Sequence, residues 1–219
     1  GGILWSKNRN GLGLTYDGVD DSVSHVQHPT QDITGAVTIH ILADHRAGSQ
    51  SFITKRPFNN IDTNYAFDSA ADADLRFYYH TGSFQIFSTA STVTGVHSWQ
   101  CRYRNSPLAV NILLDGIDQG GSWTLGDGTP ALSTNTTGVR LGDIEAGGVT
   151  FKGTMTHAYV WQRFLELDSL RWLHAEPYAF LRPIIRRRYF FFTPAAAAGN
   201  IFTQEHLGRG IGRGVFVGR

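Results

Sequence analysis

The sequence predicts an all-β protein: an antiparallel β-sandwich, with one short helix after the last strand and an extended C-terminal arm. Three observations carry this. Apolar residues recur with a period of two in many short runs, turn residues break those runs roughly every 8–12 residues, and no stretch alternates strands with helices as a parallel sheet requires. The 25 glycines of the 219-residue chain, against few Lys and Glu, lean the same way.

The elements follow in chain order. In "LTYDGVDDSVSH" (14–25), Asp17-Gly18 reads as a turn. Asp20-Asp21 then reads as the opening of a strand whose apolar members are Val19, Val23 and Val26. "AVTIHILAD" (36–44) alternates Val37, Ile39, Ile41 and Ala43 against Thr38, His40 and Asp44, with Leu42 as the one violation. Strands are expected at 51–55, 64–68, 75–80 and 83–88, the last two joined through Thr81-Gly82 as a hairpin.

"GVHSWQCRYRN" (95–105) sets His97, Trp99, Cys101 and Tyr103 on one face, and "LAVNILLDG" (108–116) does the same with Val110, Ile112 and Leu114 before an Asp115-Gly116 turn. Runs at 139–143 and 149–164 supply the last strands; the second is long enough to need a bend or bulge. In 165–177, Leu167, Leu170 and Leu173 recur at helical spacing, with Asp168 as the expected N-cap and Pro177 as the stop.

Several classes are excluded. Cys101 is the only cysteine, so no internal disulfide forms. No apolar run approaches 18 residues, so no helix of this chain is expected to span a membrane. The Gly-Gly start is expected of a processed chain, a tag scar or residues preceding residue 1. The sequon Asn135-Thr136-Thr137 is read as a chance occurrence. The nine His are scattered without zinc spacing, no Gly-x-Ser-x-Gly elbow is present, and "GRGIGRG" lacks the frame of a phosphate loop.

In order, "LTYDGVDDSV", "AVTIHILAD", "GVHSWQCRYRNSPLAVNILLDG", "VRLGD" and "FKGTMTHAYVWQRFLELDSLRWL" resemble the laminin-G-like branch of the concanavalin-A-like jelly rolls. The resemblance covers roughly 12–175 and implies a lectin-like sandwich. The sequence departs from the family where an acidic pair often stands in the last strand: here the residues are Met155-Thr156-His157, and His97 precedes Trp99. A calcium ion held by Asp20 or Asp21 plus loop carbonyls competes with a plain capped turn. No other cofactor is expected, and no catalytic residue. A glycoside hydrolase of the same fold is the rival; its nearest candidates are Asp143 and Glu145, acids at alternate positions.

The C-terminal end differs from the rest. Residues 1–170 carry 11 Lys/Arg against 16 Asp/Glu, a net −5, whereas residues 171–219 carry 8 Arg against 2 acids, a net +6. Arg182, Arg186, Arg187 and Arg188 sit beside Tyr189 and Phe190–Phe192. Basic runs beside aromatics can bind nucleic acid, though that partner is disfavoured here. Beyond Pro194, ordering the backbone costs more than burying the few large apolar side chains returns, so the tail needs a foreign surface. The expectation is an arm that docks on neighbouring chains through Phe202, Arg209, Arg213 and Phe216 as well as the Arg cluster.

Sandwiches followed by such stretches are similar to proteins of bacteriophage virions. That resemblance implies a non-enzymatic decoration, fibre or cement protein on the virion surface. Its partners would be other virion proteins, copies of itself and cell-surface glycan. The expected organisation is an N-terminal segment 1–11, a sandwich with its helix over 12–177, and a basic arm over 178–219.

Overall fold

A computed structural model of the chain describes residues 4–8, 11–46, 48–57, 62–70, 74–90, 93–144 and 149–181. The chain divides into two units, Gly1–Pro177 and Tyr178–Arg219. Of the second unit only 178–181 are described, with a 3-10 turn at Ala179–Leu181.

In chain order the strands are β1 (Leu4–Asn8), β2 (Gly11–Asp17), β3 (Val23–Ser24), β4 (Ala36–His45), β5 (Gln50–Lys55), β6 (Tyr65–Ser69) and β7 (Leu75–His80). There follow β8 (Phe84–Thr89), β9 (Gly95–Asn105), β10 (Leu108–Leu114), β11 (Ile117–Asp118), β12 (Ser122–Leu125), β13 (Arg140–Leu141) and β14 (Lys152–Trp161), then the helix α1 (Leu167–Ala175). They form two antiparallel sheets, the first in the order β1-β2-β14-β4-β9-β10-β11 and the second β12-β8-β7-β6-β5-β13-β3. The predicted sandwich is therefore present. Among the described residues no helix is long and apolar enough to cross a membrane.

The period-two runs became the centre of each sheet. Val37, Ile39, Ile41 and Ala43 of β4 and Trp99, Cys101 and Tyr103 of β9 all point inward and are fully buried. From the second sheet they meet Phe52, Tyr65, Phe67, Leu75, Phe77 and Tyr79. Phe52 stacks on Trp99 at 5.3 Å between ring centres, and Phe77 stacks on Tyr103 at 5.3 Å. Two of the core phenols satisfy one another: Tyr79 and Tyr103 bond at 2.9 Å and reach the carbonyls of Gly128 and Pro130. A one-residue slip in register would turn these rings outward, so the pairing is strongly specified.

The long last strand carries the expected irregularity, a register shift between Met155 and His157. Gly153, two residues earlier, has φ +144°, and a Cβ there would lie 1.8 Å from the Asp44 carbonyl oxygen. After the shift, Ala158 and Val160 pack on the core. His157 then stacks on Tyr159 on the outer face, 4.9 Å from the ring of His40.

Helix α1 lies on the outer face of the first sheet. Leu170 and Leu173 bury against Leu113, Gln100 Nε2 donates to the Leu170 carbonyl (2.8 Å), and Arg102 donates to the Leu165 carbonyl (2.7 Å).

Four local expectations need correction. The N-terminal residues are not a separate segment up to 11, since β1 pairs with β2 through Leu4↔Thr15 to Asn8↔Gly11. Asp20 and Asp21 do not open a strand: they sit in a bend, β3 is two residues long, and Val19 and Val26 are 74% and 85% exposed. The N-cap of α1 is Glu166; Asp168 lies in the first turn and accepts from Arg171 instead. The hairpin link spans three residues, 81–83, with Gly82 at φ +84°.

Candidate functional site

Where the acidic residues went is the first question. In a strand Asp20 and Asp21 would face opposite ways. In the observed bend, Asp17, Asp20 and Asp21 converge, each offering an oxygen within 4.8 Å of the others. Part of that capacity closes the turn. Asp21 Oδ2 accepts from the Asp17 amide (2.9 Å), and Asp17 Oδ1 accepts from the Val19 amide (2.8 Å). Calcium needs six to eight oxygens, so these carboxylates would hold it only together with loop carbonyls or water.

The sequon is structural. Asn135 Nδ2 donates to the carbonyls of Lys55 (3.0 Å) and Asp62 (2.7 Å), while its Oδ1 accepts from the Lys55 ammonium (2.6 Å) and from Thr137.

With helix α1 over the outer face of the first sheet, the outer face of the second holds the built cavity. Alternation decides its lining. Because Leu75, Phe77 and Tyr79 point inward, Arg76, Tyr78 and His80 point out. Register then sets Asp68 beside Arg76, and Tyr78 beside Ile86. Arg56 follows β5, and its Nη1 donates to the Tyr78 hydroxyl (2.9 Å). The segment after β13 folds over this face, with the Thr54 hydroxyl donating to the Asp143 carbonyl (3.1 Å), so that Ile144 and Val149 wall the far side. The result is a cavity of about 200 Å³ with charged groups at its base and half-buried Phe84 and Ile86 at its side.

The charges at its base are unusually enclosed. Asp68, 3% exposed, takes a two-pronged ion pair from Arg76, Nε to Oδ1 at 2.9 Å and Nη2 to Oδ2 at 3.0 Å. Burial pushes its carboxyl above the usual carboxylate range, opposed by the hydrogen bonds and charge of Arg76 and the charge of Arg56. Burial also pushes the Tyr78 phenol up to about 12, aided by the Asp68 charge, which keeps it protonated and available as a donor.

A second hollow, of about 310 Å³, lies at the β3–β13 edge among Ser24, His25, Thr137 and Arg140. It is larger, and its His25 Nδ1 lies 2.6 Å from the Val26 carbonyl oxygen and 2.7 Å from Gln31 Nε2.

Of the candidate hydrolytic pair, Asp143 lies near Arg140 (3.9 Å), and Glu145 lies outside the described residues. Arg182, Arg186, Arg187, Arg188, Phe202, Arg209, Arg213 and Phe216 also lie outside them. Arg56, Asp68, Arg76 and Tyr78 carry no sequence motif. The available signal was the alternation of "LRFYYH", which puts Arg, Tyr and His on one face; Asp68 and Arg56 join them only through register.

No family model matches the chain, and no curated protein does. Solved structures do. The chain is similar to the binding domain of botulinum neurotoxin serotype G (TM-score 0.62, 7% identity), over 81% of this chain and 45% of that one, so it spans less than half of that domain. It is similar to domain 4 of AbnA, a GH43 extracellular arabinanase from Geobacillus stearothermophilus, solved with arabinotriose (TM-score 0.59, 10% identity, 80% and 82% covered). A third likeness is to the CBM40 of the Ruminococcus gnavus IT-sialidase bound to α2,3-sialyllactose (TM-score 0.59, 12% identity, 78% and 98% covered). At such identities the likeness establishes the architecture: this chain folds as a jelly-roll β-sandwich of the concanavalin-A-like kind.

Proposed function

We propose that the sandwich is a carbohydrate-binding domain without hydrolytic activity, and that sugar is received in the cavity on the outer face of the second sheet. The observation that carries this is the cavity's make-up. Buried hydrogen-bonding groups (Arg56, Asp68, Tyr78) and the half-buried Arg76 lie beside a half-exposed aromatic ring, Phe84. Sugars present hydroxyls for the first and C–H faces for the second. Support also comes from the structural neighbours solved with arabinotriose and with sialyllactose.

Hydrolysis of a glycoside in most such enzymes uses two carboxyl groups about 5–10 Å apart across the bond. Among the described lining residues there is one carboxylate, and both of its oxygens are held by Arg76.

The test is a glycan array on the purified chain, followed by titration of the best ligand against Phe84→Ala. Phe84 is only half buried, so its loss is expected to leave folding intact while binding weakens by about tenfold, the value of one lost ring contact. A blank array, or unchanged affinity in the variant, overturns the assignment.

The virion setting implied by the sequence resemblance adds a place for this domain: displayed outward, with 178–219 anchoring it to neighbouring subunits. The change from net −5 over 1–170 to net +6 over 171–219 favours it. Removing 194–219 is then expected to leave the sandwich folded and to abolish incorporation into particles. Full incorporation of the truncated chain would exclude the anchor.

A further inference from the structure

We infer that the cavity selects an acidic sugar: a unit bearing a carboxylate, at the end of a glycan. This rests on the carbohydrate-binding reading of the same cavity and goes beyond it in naming the charge of the ligand.

The described lining carries one guanidinium more than carboxylates. Asp68 is spent on Arg76, which grips both of its oxygens. Arg56 is left with a neutral partner, the Tyr78 hydroxyl, on Nη1. Its Nε is buried and has no acceptor among the described residues, although the residue is only 8% exposed. A guanidinium taken out of water that shares the one described carboxylate, Asp68, with Arg76 costs free energy in the unliganded protein, whereas a carboxylate arriving beside it recovers part of that cost through charge-assisted bonds. Tyr78 contributes a second donor. Its oxygen already accepts from Arg56, so its own proton is free to point at an incoming oxygen. The surplus guanidinium and the Tyr78 O–H offer an incoming carboxylate a cation and a hydrogen-bond donor side by side. A neutral sugar hydroxyl could accept one of these protons but would bring no charge to offset the surplus guanidinium.

Size limits the rest. Pockets that enclose drug-sized molecules run to roughly 300–1,000 Å³. At about 200 Å³ this cavity takes one ring or its acidic substituent, with the remainder of the glycan outside over Phe84 and Ile86. That geometry suits a terminal unit rather than the middle of a chain.

Matched ligand pairs test the inference on the full chain: methyl glucuronide against methyl glucoside, and sialyllactose against lactose. The acidic member of at least one pair is expected to bind roughly tenfold or more tightly, a preference that Arg56→Gln abolishes and Arg56→Lys partly keeps. Because replacing a buried arginine could unfold the cavity, the wild-type protein supplies a second readout. The ¹⁵N-resolved Nε–H resonance of Arg56 is expected to shift with the acidic ligand and to stay unmoved by its neutral partner. Equal binding of both members, or binding of the neutral one alone, overturns the acidic preference but leaves a carbohydrate-binding domain. Absence of binding by all four ligands together with a blank array removes both.

Discussion

Between pH 6.5 and pH 4 the folded protein is expected to lose on the order of 5 kcal/mol of stability, because two imidazoles are buried neutral. His40 is fully buried, and His157 is 9% exposed. Burial holds His40 down at about 3, with the neighbouring rings of His157 and His174 adding to the effect, and burial alone holds His157 down at about 4. Both values lie below those of the unfolded chain, so the unfolded chain takes up protons first. The stabilisation is whole above about pH 6.5 and drains away as pH falls toward these values. His45, also lowered by burial, acts in the same direction, while Asp68, raised by burial, opposes it.

Urea unfolding at closely spaced pH values measures the effect as a slope. Two groups in transit give a slope of about two protons, roughly 2.7 kcal/mol per pH unit. In His157→Phe, which keeps a ring on Tyr159, the slope should fall to about one proton. A flat profile between pH 7 and 4.5 would mean that the histidines are hydrated or charged in the folded state.

These histidines also show how far the sequence could be read. His40 was visible on the polar side of "AVTIHILAD", and that side is ordinarily solvated; here the rings of His157 and Tyr159 from β14 pack on it. The central strands were legible because both sheets bury one face, which imposes the period of two on Val37–Ala43 and on Trp99–Tyr103. β1, β2 and β12 were missed for the complementary reason. They are glycine-rich or exposed edge elements ("GLGLTYD", "SWTL") that exist through pairing with a neighbour, which composition does not reveal.

Half of the cavity was legible. Arg76 and Tyr78 fall on one face by alternation, whereas Asp68 and Arg56 reach them only after register and the irregularity between Ser51 and Ile53 are known. The convergence of Asp17, Asp20 and Asp21 was hidden because a bend, not a strand, holds them.

Replacing Lys55 with Met is expected to cost about 3–5 kcal/mol, the usual cost of removing one partner from a buried charge pair. The ammonium is fully buried. It lies 2.7 Å from Asp32 Oδ1, 2.6 Å from Asn135 Oδ1, 2.8 Å from the Thr137 carbonyl oxygen and 3.2 Å from that of Asn135. Four oxygens around three N–H donors leave no room for a substitute: an apolar side chain of equal length fills the space but strands a carboxylate and two carbonyls.

The effect should extend beyond the residue itself, since Asn135 ties the segment before β13 to Lys55 and Asp62. A double-mutant cycle separates the charge from the carbonyls. If the Asp32 pair dominates, Asp32→Asn should cost at least about 1 kcal/mol less in the Lys55→Met background than in the wild type. If the two effects simply add, the carbonyl oxygens carry the interaction, and Lys55 acts as a tether for the 135–137 backbone rather than as half of an ion pair. A cost below about 1 kcal/mol for Lys55→Met alone would contradict both versions, because it would mean that water satisfies these oxygens as well as the ammonium does.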